Sequence, residues 1–134
     1  MLGPSFERLG QLGILEKKEK LPWISASLYG KFMEKADGAA LRDGLRAAKT
    51  RPSLVAHAVD AVKRGLDDGN AETRRVAAEA VRKAVIAKVM TPQDGEAMLA
   101  GRLGKETEPV LKAEFTGALD QVRGVMPKPP VTQQ

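Results

Sequence analysis

An all-helical domain, built as a short array of antiparallel helices, is what this sequence predicts, and three observations carry the expectation. Apolar residues recur at helical spacing along most of the chain, and nothing alternates like a strand. Aromatic residues make up only 4% of the chain, with one Trp and one Tyr, so the core must be aliphatic and thin, which suits packed helices better than a sandwich. Helix start and stop signals also cut the chain into segments of a few turns each. At 134 residues there is room for one domain with a real core. Stacked helical hairpins and a compact bundle of four or five helices both satisfy these constraints.

Residues 1–24 read as an arm. Ser5 can cap a helix carrying Phe6, Leu9 and Leu12, but Gly10 and Gly13 each weaken it by about 1 kcal/mol relative to alanine. Ile14 and Leu15 precede the charged run EKKEK, and Pro22 disfavours a helical Leu21. Trp23 is the one large aromatic anchor, suited to pinning the arm onto the domain. The first twenty residues include Glu7, Glu16 and Glu19 and no long apolar core, so they resemble neither a secretory signal nor a transit peptide.

The helical domain is expected over residues 25–124. Ser25 or Ser27 caps a helix bearing Leu28, Phe32, Met33 and Ala36, and Asp37-Gly38 breaks or kinks it before Leu41, Leu45 and Ala48. Pro52 suits a first helical turn, and Leu54, Val55, Ala58, Val59, Ala61, Val62 and Leu66 predict one continuous helix. The most legible stretch is GNAETRRVAAEAVRKAVIAKV, from Gly69 to Val89, with Asn70 as N-cap. On a helical wheel Glu72, Arg75, Glu79, Arg82 and Lys83 form the wet face, while Val76, Ala77, Ala80, Val81, Ala84 and Val85 face inward. Ile86 interrupts the polar arc and is either covered by another segment or offered to a partner. Thr91-Pro92-Gln93-Asp94 starts a helix that runs to about Leu103 and stops at Gly104. A last helix begins at Glu108-Pro109, uses Leu111, Phe115, Ala118, Leu119 and Val122, and stops at Gly124. Residues 125–134 are a proline-rich tail with little to bury.

Three helix starts overlay: PSLVAHAVDAV from Pro52, AETRRVAAEAV from Ala71 and PVLKAEFTGAL from Pro109, separated by 19 and then 38 residues. The longer period is that of a two-helix repeat, which buries its apolar face by stacking. Over residues 52–123 the chain resembles the HEAT-like and armadillo-type helical repeats. AETRRVAAEAV carries Arg74 at the place of that family's recurring arginine and Ala77 and Ala80 at its small packing positions. Val55 and Lys112 stand at the arginine place in the other copies. The resemblance implies a protein-binding scaffold and carries over no catalytic residue.

Few chemistries find support. The chain has no cysteine, which removes disulfides and thiolates, and His57 is its only histidine, which rules out a multi-histidine metal site within one chain. Asp67 with Asp68 and Glu106 with Glu108 sit at helix junctions, where turn and capping roles account for them. Neither GxGxxG nor GxxxxGK[ST] occurs. No cofactor is expected. A net charge of +5 draws the protein weakly toward acidic surfaces, and Arg42, Arg46, Lys49 and Arg51 form the best basic patch, with only Asp43 intervening. No aromatic residues interleave with it for base stacking. The expectation is a non-enzymatic protein-protein interaction module, an accessory or scaffold subunit of a larger assembly, with Phe6, Leu9, Leu12, Trp23 and Ile86 as candidate partner contacts. A basic helical nucleic-acid-binding protein is the alternative. No apolar run is long enough to span a bilayer, and the compartment and oligomeric state stay open.

Overall fold

A computed structural model describes residues 25–125. They form α1 (Ala26–Lys35), α2 (Gly38–Thr50), a 3-10 helix (Pro52–His57), α3 (Val59–Leu66), α4 (Ala71–Ile86), α5 (Pro92–Leu103) and α6 (Pro109–Gly124), and no strand occurs among them. Residues 1–24 and 126–134 lie outside the described part.

The caps act where their residue types suggest. The side chains of Ser25, Asn70 and Thr91 each accept the backbone N–H three residues on, from Leu28, Thr73 and Asp94, all at 3.1 Å. Pro92 and Pro109 occupy first turns, where the missing N–H costs nothing. Glu108 does not cap α6 with its side chain. The Glu106 carboxylate does that work, accepting the N–H of Thr107 and of Glu108 at 3.2 and 3.1 Å.

α4 is the centre of the molecule and packs against α2, α3, α5, α6 and the 3-10 helix. Val76, Ala77, Ala80, Val81, Ala84 and Val85 are all buried on it, as the helical wheel predicts, and so are Thr73, Arg74 and Ala78. Cross-helix contacts fix the directions of its neighbours. Arg42 near the start of α2 reaches Thr73 in α4's first turn, and Lys49 near its end pairs with Glu79, so α2 and α4 run the same way. Glu106, just before α6, meets Arg74, while Gln121 near its end meets Arg82, so α6 also runs with α4. α5 runs against it, with Gly95 beside Val85 and Arg102 donating to the Leu66 carbonyl. α3 reaches α4 through a short turn and is likewise its antiparallel neighbour. The result is two layers, α2, α4 and α6 in one, and α1, the 3-10 helix with α3, and α5 in the other.

Close approach depends on small residues. A Cβ on Gly65 would fall 2.5 Å from Leu45 Cδ1 and 3.1 Å from Ala77 Cβ, so glycine at that position lets α2, α3 and α4 meet without displacing the Leu45 side chain. Gly95 does the same between α5 and α4, where a Cβ would lie 2.5 Å from Val85 Cγ2. Tyr29, Phe32, Leu45, Leu54, Leu99 and Phe115 fill the larger spaces, each buried side chain of this kind contributing roughly 1.5–3 kcal/mol.

The expected continuous helix from Pro52 to Leu66 is broken. Its first part is a 3-10 helix, and Ala58 leaves helical geometry (φ −149°, ψ 38°) before α3 begins. The His57 carbonyl lies against Gly30 of α1, 3.2 Å from where a Cβ would stand, and the change of phase at Ala58 keeps Leu54, Val55, Ala61 and Val62 inside. Val59, expected on the same inner face, is turned outward and 37% exposed.

Candidate functional site

The layer of α2, α4 and α6 presents an open face on which charges of both signs interlock. Arg42, Arg46 and Lys49 recur at helical spacing on α2, and Glu72, Arg75, Glu79 and Arg82 do so on α4. Parallel packing brings the two rows together. Arg46 pairs with Asp43 at 3.2 Å and with Glu72 at 3.0 Å, and Lys49 pairs with Glu79. Arg75 bridges Glu72 and Glu79 along α4, at 2.9 and 3.1 Å, and Arg82 donates to Gln121 of α6 at 3.0 Å. The hydrogen bond from Arg75, helped by Arg46, holds the Glu72 carboxyl down at about 2 against the cost of its partial burial. The same bond holds the Arg75 guanidinium above its ordinary value. In the basic patch read from the sequence, therefore, Arg46 and Lys49 are neutralised by acids from α4, and Arg42 is turned to the Thr73 hydroxyl at 3.4 Å. Arg51 caps α2, its N–H donating to the Ala47 carbonyl.

Between α4 and α6 this face opens into a groove of about 400 Å3. Ala78, Ala113, Gly117 and Ala118 form its floor, and Arg75, Arg82, Glu114 and Gln121 stand at its rim. A Cβ on Gly117 would touch nothing within 4 Å, so the floor is open to whatever lies above it. Small residues let another backbone come close, and rims of both signs offer hydrogen bonds to side chains of either charge.

One end of the molecule is held by a buried ionic clamp. Arg74 donates to both oxygens of Glu106, Nε to Oε1 at 2.9 Å and Nη2 to Oε2 at 3.1 Å, and its Nη1 reaches the Asp68 carbonyl at 2.8 Å. Arg102 approaches the same carboxylate at 3.5 Å and donates to the Leu66 carbonyl. Burial alone would raise the Glu106 carboxyl; the Arg74 bond, the Glu108 N–H and the charges of Arg74 and Arg102 outweigh it and hold it below the usual range. This clamp was not legible as a pair, because its members are 32 residues apart.

The other end is apolar. α4 stops at a turn in which the N–H of Lys88 bonds to the Val85 carbonyl at 3.0 Å and that of Val89 to the Ala84 carbonyl at 2.8 Å, with Lys88 in left-handed geometry at φ 65°. Beside the turn, Ile86 and Val125, each 48% exposed, border a groove of about 460 Å3 with Val89, Met90 and Pro92. Of the candidate partner contacts read from the sequence, Ile86 is among the described residues, and Phe6, Leu9, Leu12 and Trp23 lie outside them. His57 ends the 3-10 helix in an exposed position, and among the described residues no three of His, Asp and Glu gather closely enough to hold a metal ion. No described helix is long and apolar enough to cross a membrane. Neither a family model, nor a curated protein, nor a solved structure matches the chain.

Proposed function

We propose that this protein is a non-enzymatic protein-protein interaction module, an accessory or scaffold subunit of a larger assembly, that binds its partner across the α2–α4–α6 face. The observation that carries the reading is the pairing of Arg46 and Lys49 with Glu72 and Glu79. A surface built to neutralise phosphates presents cations free of acidic partners. This one alternates sign and opens on a small-residue groove, which suits a polypeptide with charges of its own. The two-layered stacking of helices supports a HEAT-like reading of the array, in which such a face is the partner-binding side.

The test is affinity capture from native extract with the full chain and with Gly117→Tyr, identified by mass spectrometry. Gly117 is exposed and has open space above it, so the variant fills the groove without disturbing the core. A partner held by the parent chain and lost by the variant supports the proposal. Identical partners on both, or a clear shift of DNA or RNA at physiological salt, favours the nucleic-acid-binding alternative or another surface.

A further inference from the structure

The apolar end of the molecule is more than the hollow beside Ile86. A second groove, of about 440 Å3, is lined by Val55, Ala56, Val59 and Lys63 on one side and Asp94, Ala97 and Met98 on the other, and shares Val89, Met90 and Thr91 with the first. Together they make one trough across the end of the stack, from Val59 over the α4–α5 turn to Val125. Val59, Ile86 and Val125 are three of the large apolar residues exposed among the described residues and line this trough; the other, Val110, stands apart at the start of α6.

We propose that this trough is the seat of the chain's own N-terminal arm, residues 1–24, laid over the end of the domain from which it emerges. Three observations select that occupant. The first is where the arm joins. Arg64, near the C-terminal end of α3, donates to the carbonyls of Met33 and Ala36 at the end of α1, so the start of α1 points the opposite way, toward the end of α3 that carries Val59. Gly30 lies against His57, and Ser25 stands only about 7.5 Å further along the helix. The second is length: twenty-four residues reach up to about 80 Å when extended, several helix diameters more than the trough requires. The third is chemistry. Phe6, Leu9, Leu12, Ile14 and Leu15 give the arm the side chains an apolar trough takes, whereas the nine residues after Val125, MPKPPVTQQ, offer few. A tethered segment of this kind acts at an effective concentration in the millimolar range, which favours the same molecule over a second copy in dilute solution.

The chain has no cysteine, so one can be placed at will. Gln11→Cys, which spares every apolar residue of the arm, is to be labelled with a nitroxide on the full 15N-labelled chain in dilute solution. Amide signals of Val59, Ile86 and Val89 should lose more than half their intensity, and regain it when the nitroxide is reduced. A 1:1 mixture of nitroxide-bearing unlabelled chain with label-free 15N chain should show no such loss. Loss confined to the mixture gives the trough to a second copy, loss produced by Thr132→Cys and not by Gln11→Cys gives it to the tail, and intact signals throughout leave the arm elsewhere; each of these overturns the proposal.

Discussion

Glu106 shows how much one side chain can hold together. It is buried, takes two hydrogen bonds from Arg74, and accepts two backbone N–H groups at the start of α6, so it ties α4 to the last hairpin and closes the α5–α6 turn at once. Removing one partner of such a pair strands a buried charge, and Glu106→Ala or Arg74→Ala is expected to cost about 3–5 kcal/mol, read from urea denaturation midpoints. Changing Arg74→Met and Glu106→Leu together should recover only part of that loss, because the N–H groups of Thr107 and Glu108 stay without an acceptor. The acid response follows from the same carboxylates. Glu72 and Glu106 are both held below their ordinary value in the folded protein, so the unfolded chain binds more protons as pH falls. Their stabilisation is complete above about pH 4.5, the ordinary value, and is lost on acidification, for Glu72 down through about 2. Glu72 is partly exposed and screened by water, so Glu106→Gln should flatten the acid limb of a stability-against-pH curve more than Glu72→Gln does. At Lys88 the expected change is a gain. A side chain in left-handed geometry costs about 1–2 kcal/mol and glycine's extra unfolded-state freedom returns part of it, so Lys88→Gly should stabilise by roughly 0.5–1 kcal/mol in the same measurement.

α4 owes its place to alanine. Ala77 and Ala80 are fully buried where neighbouring helices converge, and changing either to leucine should overpack the contact at a cost of about 1–3 kcal/mol; unchanged denaturation midpoints in both variants would refute the packing described. Helices whose ends are written in local chemistry were legible in the sequence. Asn70, Thr91-Pro92 and Gly104 mark their boundaries because caps act over three or four residues. The break at Ala58 was not legible, since no glycine or proline marks it and what accompanies it is a packing contact with Gly30 of another helix. Val59 was misplaced for the same reason. The basic residues of α2 read as a patch because Asp43 is the only acid near them in sequence. Glu72 and Glu79 reach them only once α2 and α4 lie side by side, 26 and 30 residues apart in the chain. Pairing between elements leaves no local signature, whereas the pairs of Arg75 with Glu72 and Glu79 along α4 follow from helical spacing.

At the scale of the whole molecule, the domain has a clamped ionic end, an open apolar end and one long face of interlocked charge. The burdens they carry differ with salt. Ions screen the exposed pairs of the α2–α4 face far more than the buried Arg74–Glu106 pair, so raising ionic strength should weaken partner binding through the face while leaving the thermal midpoint nearly constant. The proposed function requires that face to be the surface a partner covers. Hydrogen exchange of the full chain, alone and in the complex recovered by affinity capture, tests this most directly. Slowed exchange concentrated in α4 from Arg75 to Arg82 and in α6 from Ala113 to Gln121, with α3 and α5 unchanged, is the predicted result. Protection that falls on α3 and α5 and spares the α4–α6 groove would contradict it.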